Sequence, residues 1–262
     1  MMTLPVTPIK TLLHRIGLLA AHYLMAEVER NPLIPTTDVS ELARILRRGD
    51  VLLIEGCARV SAPIRYLTQS TWSHAALYVG PIDGRMEPDG EPHVLIEADL
   101  IEGVHSSPLS GYRNDHTRIC RPLDVSDEDL TALVTFAVER IGYKYDLHNL
   151  FDLIRYVLPT PPLPERLRRR YLSVGAHAPT RAICSTLIAQ AYQSIHYPIL
   201  PIVEIAEEAR AARPTRHNVV HEILHIRDSA LFVPRDFDIS PYFAIVKPTI
   251  IRGFDYRQLT WM

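Results

Sequence analysis

Cys184 heads a helical pattern in the run Arg181-Ala182-Ile183-Cys184-Ser185-Thr186-Leu187. Leu187, Ile188, Ala191 and Ile195 recur on one side, so the spacing predicts a helix from Cys184 through Ile195. A cysteine at a helix start lies among backbone N–H groups without intrahelical partners and at the positive end of the helix dipole. Both favour a thiolate. The same N–H groups could receive the negative oxygen that develops when a carbonyl is attacked. A thiolate nucleophile also needs a base or cation partner, usually an oriented histidine. His74 is the best candidate, because it begins a strand-like run after Thr71-Trp72-Ser73 and shares a face with Ala76 and Tyr78. Glu97, on the next strand-like run, could accept the other ring N–H and hold the tautomer. Each residue alone has a plainer reading, since a cysteine in an apolar helix is usually core and a lone histidine a satisfied polar group. Spacing alone leaves both readings open.

A rival constellation is His221-Glu222-Ile223-Leu224-His225, which matches the H-E-x-x-H zinc-protease pattern. It needs a helix to hold both histidines on one face, and a third ligand on the C-terminal side. No His follows His225 and no Glu follows Glu222, which leaves Asp228, Asp236, Asp238 and Asp255. The pattern also runs quickly into the strand-like stretch 230–233. Chance in a chain with 12 histidines is the preferred explanation, and neither a metal nor a cofactor is expected. Cys57, between a strand and a short helix at 61–68, is the rival nucleophile and reads as a buried or loop thiol. Cys120, in a strand, reads as core. The chain has no Gly-rich phosphate loop and no G-x-S-x-G elbow.

The elements that must position these residues are readable in outline. The chain has 262 residues, 47% hydrophobic and 22% charged, with a formal net charge of −2, an ordinary globular balance. That charge gives no sign of a nucleic-acid partner. Three scattered cysteines suit neither a disulfide framework nor a thiolate metal site, and point to a reducing, cytoplasmic compartment. No apolar run approaches the ~20 residues needed to cross a bilayer. Residues 9–28 form an amphipathic helical pattern, read as packed on the domain, with interfacial membrane contact as the alternative.

Strands are expected at 51–54, 75–79, 94–98, 118–123, 230–233 and 243–246, and helices at 40–47 and from Ser126 to Gly142. Ser126 and Asp129 form a capping-box pattern for the latter. The Pro-rich hinge 159–164 and the basic cluster 165–170 read as a linker and a solvated face, with phosphate or membrane binding as the alternative. Tyr145 could line the pocket. Strands clustered between helices without regular alternation indicate an α+β fold, an antiparallel sheet packed against helices. The division expected is an N-terminal helical extension (1–40), a catalytic domain (41–250) and a C-terminal tail (251–262).

Five segments occur in order: Gly49-Asp50-Val51-Leu52, Ser73-His74-Ala75-Ala76-Leu77-Tyr78-Val79-Gly80, Leu95-Ile96-Glu97-Ala98, Gly142-Tyr143-Lys144-Tyr145-Asp146 and Cys184-Ser185-Thr186-Leu187-Ile188. Together with Phe232-Val233-Pro234-Arg235-Asp236-Phe237 and Ser240-Pro241-Tyr242-Phe243, they resemble the circularly permuted papain-fold amidases of the YaeF/YiiX type. These are relatives of the NlpC peptidases and lecithin:retinol acyltransferases. In NlpC enzymes the cysteine helix precedes the histidine strand; here the order is reversed, as in the permuted branch. The resemblance covers roughly residues 45 to 246. It implies Cys184 as nucleophile, His74 as base and Glu97 as its orienting partner, with a thioester acyl-enzyme made from an amide or ester. Small peptides, amino-acid amides and lipid acyl groups are all allowed as substrates. The alternatives are a zinc hydrolase and a non-catalytic papain-like binding module.

Overall fold

The computed structural model describes residues 22–27, 38–99, 101–144, 183–205, 222–247, 255 and 257. Its frame is a six-stranded antiparallel sheet made of β1 (Val51–Ile54), β2 (His74–Tyr78), β3 (His93–Ala98), β4 (Val104–Pro108), β5 (Thr117–Pro122) and β8 (Phe243–Val246). The strands lie in the order β4-β3-β2-β1-β5-β8. A separate two-stranded ribbon pairs β6 (Ile202–Ile205) with β7 (Glu222–His225). The helices are α1 (Val39–Ile45), α2 (Ser61–Thr68), α3 (Asp127–Val138), α4 (Ile183–Ser194) and α5 (Pro234–Ile239). The architecture is α+β, and no helix among the described residues is long and apolar enough to cross a membrane.

The continuous apolar run of β1 is explained by burial on both faces. Val51 and Leu53 join a core with Leu187, Ile188 and Tyr192 of α4 and Leu133 of α3. Leu52 and Ile54 point the other way, into a second core with Leu42 of α1, Ala76 and Leu95. A strand buried on both sides has no polar alternation to show. Helix α3 begins as its sequence suggests: the Ser126 hydroxyl accepts the Asp129 N–H at 3.1 Å. The Asp129 carboxylate takes the Ser126 hydroxyl at 2.8 Å, a closed local pair that satisfies one orphan donor.

One expected strand is absent. Residues 230–233 belong to a 3-10 turn (Ser229–Leu231) and the lead into α5. Asp228 captures the Ala230 N–H at 2.9 Å, Pro234 stands at the first turn of α5, and the Asp236 carboxylate takes the Val233 N–H at 3.0 Å. Capping chemistry overrides a short apolar run here. The Pro-rich and basic segment 159–170 and Tyr145 lie outside the described residues, as does most of the N-terminal pattern 9–28, of which 22–25 form a helical turn.

At the other end of β1, Asp50 is fully buried and bound by Arg121, Nε to Oδ1 at 2.9 Å and Nη2 to Oδ2 at 2.7 Å, with the Arg47 N–H at 2.8 Å. Burial raises the Asp50 carboxyl above its usual range, despite these donors. Removing Arg121 strands a buried carboxylate, so Arg121→Ala is expected to cost about 3–5 kcal/mol of stability. A raised folded pKa means that the fold binds this proton more readily than the unfolded chain. The deficit is therefore expected to shrink as pH falls, which thermal melts across pH will read.

Candidate active site

The register of the sheet brings the chemistry together. The chain turns from β3 to β4 at Gly103, whose φ of +77° suits glycine and where a Cβ would lie 2.3 Å from the Tyr143 carbonyl. Asp99 tightens the turn by accepting the N–H groups of Ile101 and Glu102, at 2.7 and 2.6 Å. This turn sets Glu97 opposite His105 and Leu95 opposite Ser107. On the other side of β3, Leu77 faces Ile96 and Tyr78 faces Leu95. The period of two then puts His74, Glu97, His105 and Ser107 on one face of the sheet.

His74 opens β2 in a pinned segment. The Trp72 indole N–H donates to Asp238 of α5 at 3.0 Å, and the Ser73 hydroxyl receives the Gly56 N–H at 3.0 Å. The His74 Nε2 is bonded to Glu97 Oε2, which leaves Nδ1 for Cys184. Glu97 is 5% exposed and also receives the hydroxyls of Ser107, on Oε1, and Tyr112, on Oε2. Tyr112 closes the 3-10 turn Leu109–Tyr112, and its ring lies 6.3 Å from that of His74.

Cys184 arrives from α4, which packs on the sheet through Leu187, Ile188 and Ala191 and delivers its first turn to the start of β2. Cys184 is 5% exposed, and its sulfur is bonded to the His74 side chain and to the Ala75 backbone N–H, with the Ser185 hydroxyl at 3.9 Å. Burial pushes the Cys184 thiol up, but the His74 charge and these bonds more than offset it, and its pKa falls below the usual value. For His74 burial opposes the imidazolium, while the Cys184 charge, the bond to Cys184 and Glu97 outweigh it and carry the pKa well above 6.5. Burial likewise opposes ionisation of Glu97, yet the His74, Ser107 and Tyr112 bonds hold its carboxyl at about 2. Three shifts in these directions describe a thiolate–imidazolium pair backed by a carboxylate.

The pair opens on a cavity of about 330 Å³. Met25, Val60 and Ile64 give it apolar wall; Glu27, Asp99, His105 and Asp115 give it polar wall. No Lys or Arg is among the described residues that line it. Cys57 lines the same cavity, where its thiol donates to Asp115 Oδ1 at 3.3 Å. Cys120 is fully buried in β5, where burial raises its pKa far above the usual value.

The three expected residues, Cys184, His74 and Glu97, therefore meet. Sequence reasoning missed Ser107, Tyr112 and His105, because Val104–Pro108 has no apolar alternation to announce a strand. The zinc pattern fares differently. Residues 222–225 are strand β7, paired with β6, and His221 lies outside the described residues. The pattern needs a helix to bring its two histidines to one face, and a strand at 222–225 is not that helix. Among the described residues no group of three or more His, Cys, Asp and Glu could hold a metal ion.

No family model matches the chain. Among solved structures it is similar to the crystal structure of metalloprotein yiiX (DUF1105) from Escherichia coli O157:H7, with 16% identity and a TM-score of 0.43. The match covers 76% of this chain and 96% of that one. A likeness this slight decides neither fold family nor activity.

Proposed function

We propose that the protein is a cysteine hydrolase of the permuted papain-like type, acting on amides or esters through a thioester acyl-enzyme. One observation carries the reading: a buried cysteine at a helix N-terminus, an imidazole bonded to it, and a buried carboxylate on the far ring nitrogen. A binding module has no need to shift three ionisable groups toward the nucleophilic state. The order of histidine strand before cysteine helix is that of the YaeF/YiiX type.

The chemistry balances without a metal or an external base. The Cys184 thiolate attacks the carbonyl carbon, and the oxyanion is received by N–H groups of the first turn of α4. The imidazolium of His74 protonates the leaving amine or alkoxide as the C–N or C–O bond breaks. His74, now neutral, takes a proton from water, whose oxygen attacks the thioester; the acid leaves and the thiolate–imidazolium pair returns. An acceptor other than water would make the same site a transferase. Among the described residues, Glu27, Asp99 and Asp115 line the cavity, which favours peptides and amino-acid amides over substrates with an anionic group beside the bond. An odd count of three scattered cysteines suits a reducing cytoplasmic setting.

Incubation with a panel of amides, esters and thioesters, followed by acid quench and intact-mass analysis, tests the proposal. A hydroxylamine-sensitive acyl adduct on Cys184, missing from Cys184→Ala, is the expected result. Turnover by Cys184→Ala at the wild-type rate would reject it.

A further inference from the structure

Glu97 carries more donors than orientation of one imidazole requires. Its Oε2 receives both His74 and the Tyr112 hydroxyl, and its Oε1 receives the Ser107 hydroxyl. His105 Nε2 stands 3.6 Å from the same Oε1, while His105 Nδ1 faces the Gly103 carbonyl at 3.1 Å. These partners come from three places: β2, the edge strand β4 and the 3-10 turn that follows it. Ser107 reaches Glu97 as a diagonal cross-strand neighbour, because the register sets it opposite Leu95.

Two physical facts give these hydroxyls work to do. The terminal torsion of a glutamate is broad, so His74 alone would not fix the plane of the carboxylate. Burial is also the largest influence on Glu97, and it favours the neutral acid. A protonated Glu97 would offer His74 no counter-charge, and Cys184 would drift back toward its thiol. We propose that Ser107 and Tyr112 are positioning residues that fix the Glu97 carboxylate, as an anion, against His74. The inference rests on the cysteine-hydrolase reading of the site and explains why a polar edge strand sits beside it. Among the described residues, the other titratable groups facing this cluster are His105 and Cys184, with Glu27, Cys57, Asp99 and Asp115 on the same cavity wall. Asp99 is engaged by the Ile101 and Glu102 N–H groups, and Asp115 faces Cys57.

The test is Ser107→Ala with Tyr112→Phe, which removes both hydroxyls and keeps the aromatic wall beside His74. The readouts are the pH profile of Cys184 alkylation and the ¹³C carboxyl signal of Glu97, assigned by its loss in Glu97→Gln. In the wild type that signal is expected to hold its ionised position until pH approaches about 2. In the double variant it is expected to titrate at higher pH, and the rise of Cys184 labelling to move up by about one pH unit. Keeping a hydroxyl, as Ser107→Thr beside Tyr112→Phe, is expected to bring the profile back toward the wild type. Circular dichroism melts confirm that each variant is folded. A folded double variant with wild-type profiles would overturn the inference while leaving the dyad intact. A wild type without low-pH labelling of Cys184 would instead overturn the hydrolase reading, and this inference with it.

Discussion

Replacing His74 by alanine is expected to lower turnover of any accepted amide or ester by about 10²- to 10⁴-fold, the usual worth of a positioned acid–base group. The reason lies in the balance at Cys184. Burial is the largest influence on that thiol and favours the uncharged form. The imidazole opposes it with charge and a hydrogen bond, and the Ala75 N–H and Ser185 hydroxyl add less. Without His74 the burial penalty stands nearly unopposed, and the proton for the leaving group is lost as well. His74 is only partly buried and the core on its face is built by Ala76, Leu95 and Ile54. The variant is therefore expected to remain folded, so that a circular dichroism melt separates chemistry from stability.

Glu97→Gln is expected to be comparably damaging, on the order of 10³- to 10⁴-fold, although it is almost isosteric. An amide nitrogen on Nε2 donates where the carboxylate accepts, and drives the ring toward the tautomer that carries its proton on Nδ1. That tautomer cannot take a proton from Cys184. The substitution also has a signature in stability. The folded pKa of Glu97, about 2, lies below its ordinary 4.5, so the group contributes stability that is fully present above about pH 4.5. That contribution is lost as pH falls through the folded value. Melting temperatures of Glu97→Gln are expected to vary less between pH 5 and pH 2 than those of the wild type. His74 has the opposite sign: its raised pKa contributes stability below about pH 6.5 that is lost as pH rises through the folded value.

The legible part of this site was the part carried by strong local patterns. Cys184 stands at a helix start whose apolar side is plain, and His74 and Glu97 stand on runs apolar enough to read as strands. Register made them a site, and register depends on turns. Gly103 and the Asp99 turn decide which residue of β4 lies beside Glu97, and nothing in Val-His-Ser-Ser-Pro alone reveals an edge strand. Tyr112 was harder still, because it reaches Glu97 from a 3-10 turn outside any periodic element. The stretch 230–233 misled for the same reason in reverse: four residues with apolar character were claimed by caps from Asp228, Pro234 and Asp236. The zinc pattern is discounted because its spacing has meaning only on a helix, and residues 222–225 form strand β7 instead.

The Cys184–His74 pair is tested by the rate of iodoacetamide labelling across pH, mapped to each cysteine by mass spectrometry, in the wild type and in His74→Ala. Selective labelling of Cys184 below pH 7 is expected, with Cys57 and Cys120 slow, and loss of that low-pH reactivity in the variant. Slow labelling of all three cysteines in the wild type, unchanged by the substitution, would contradict the pairing.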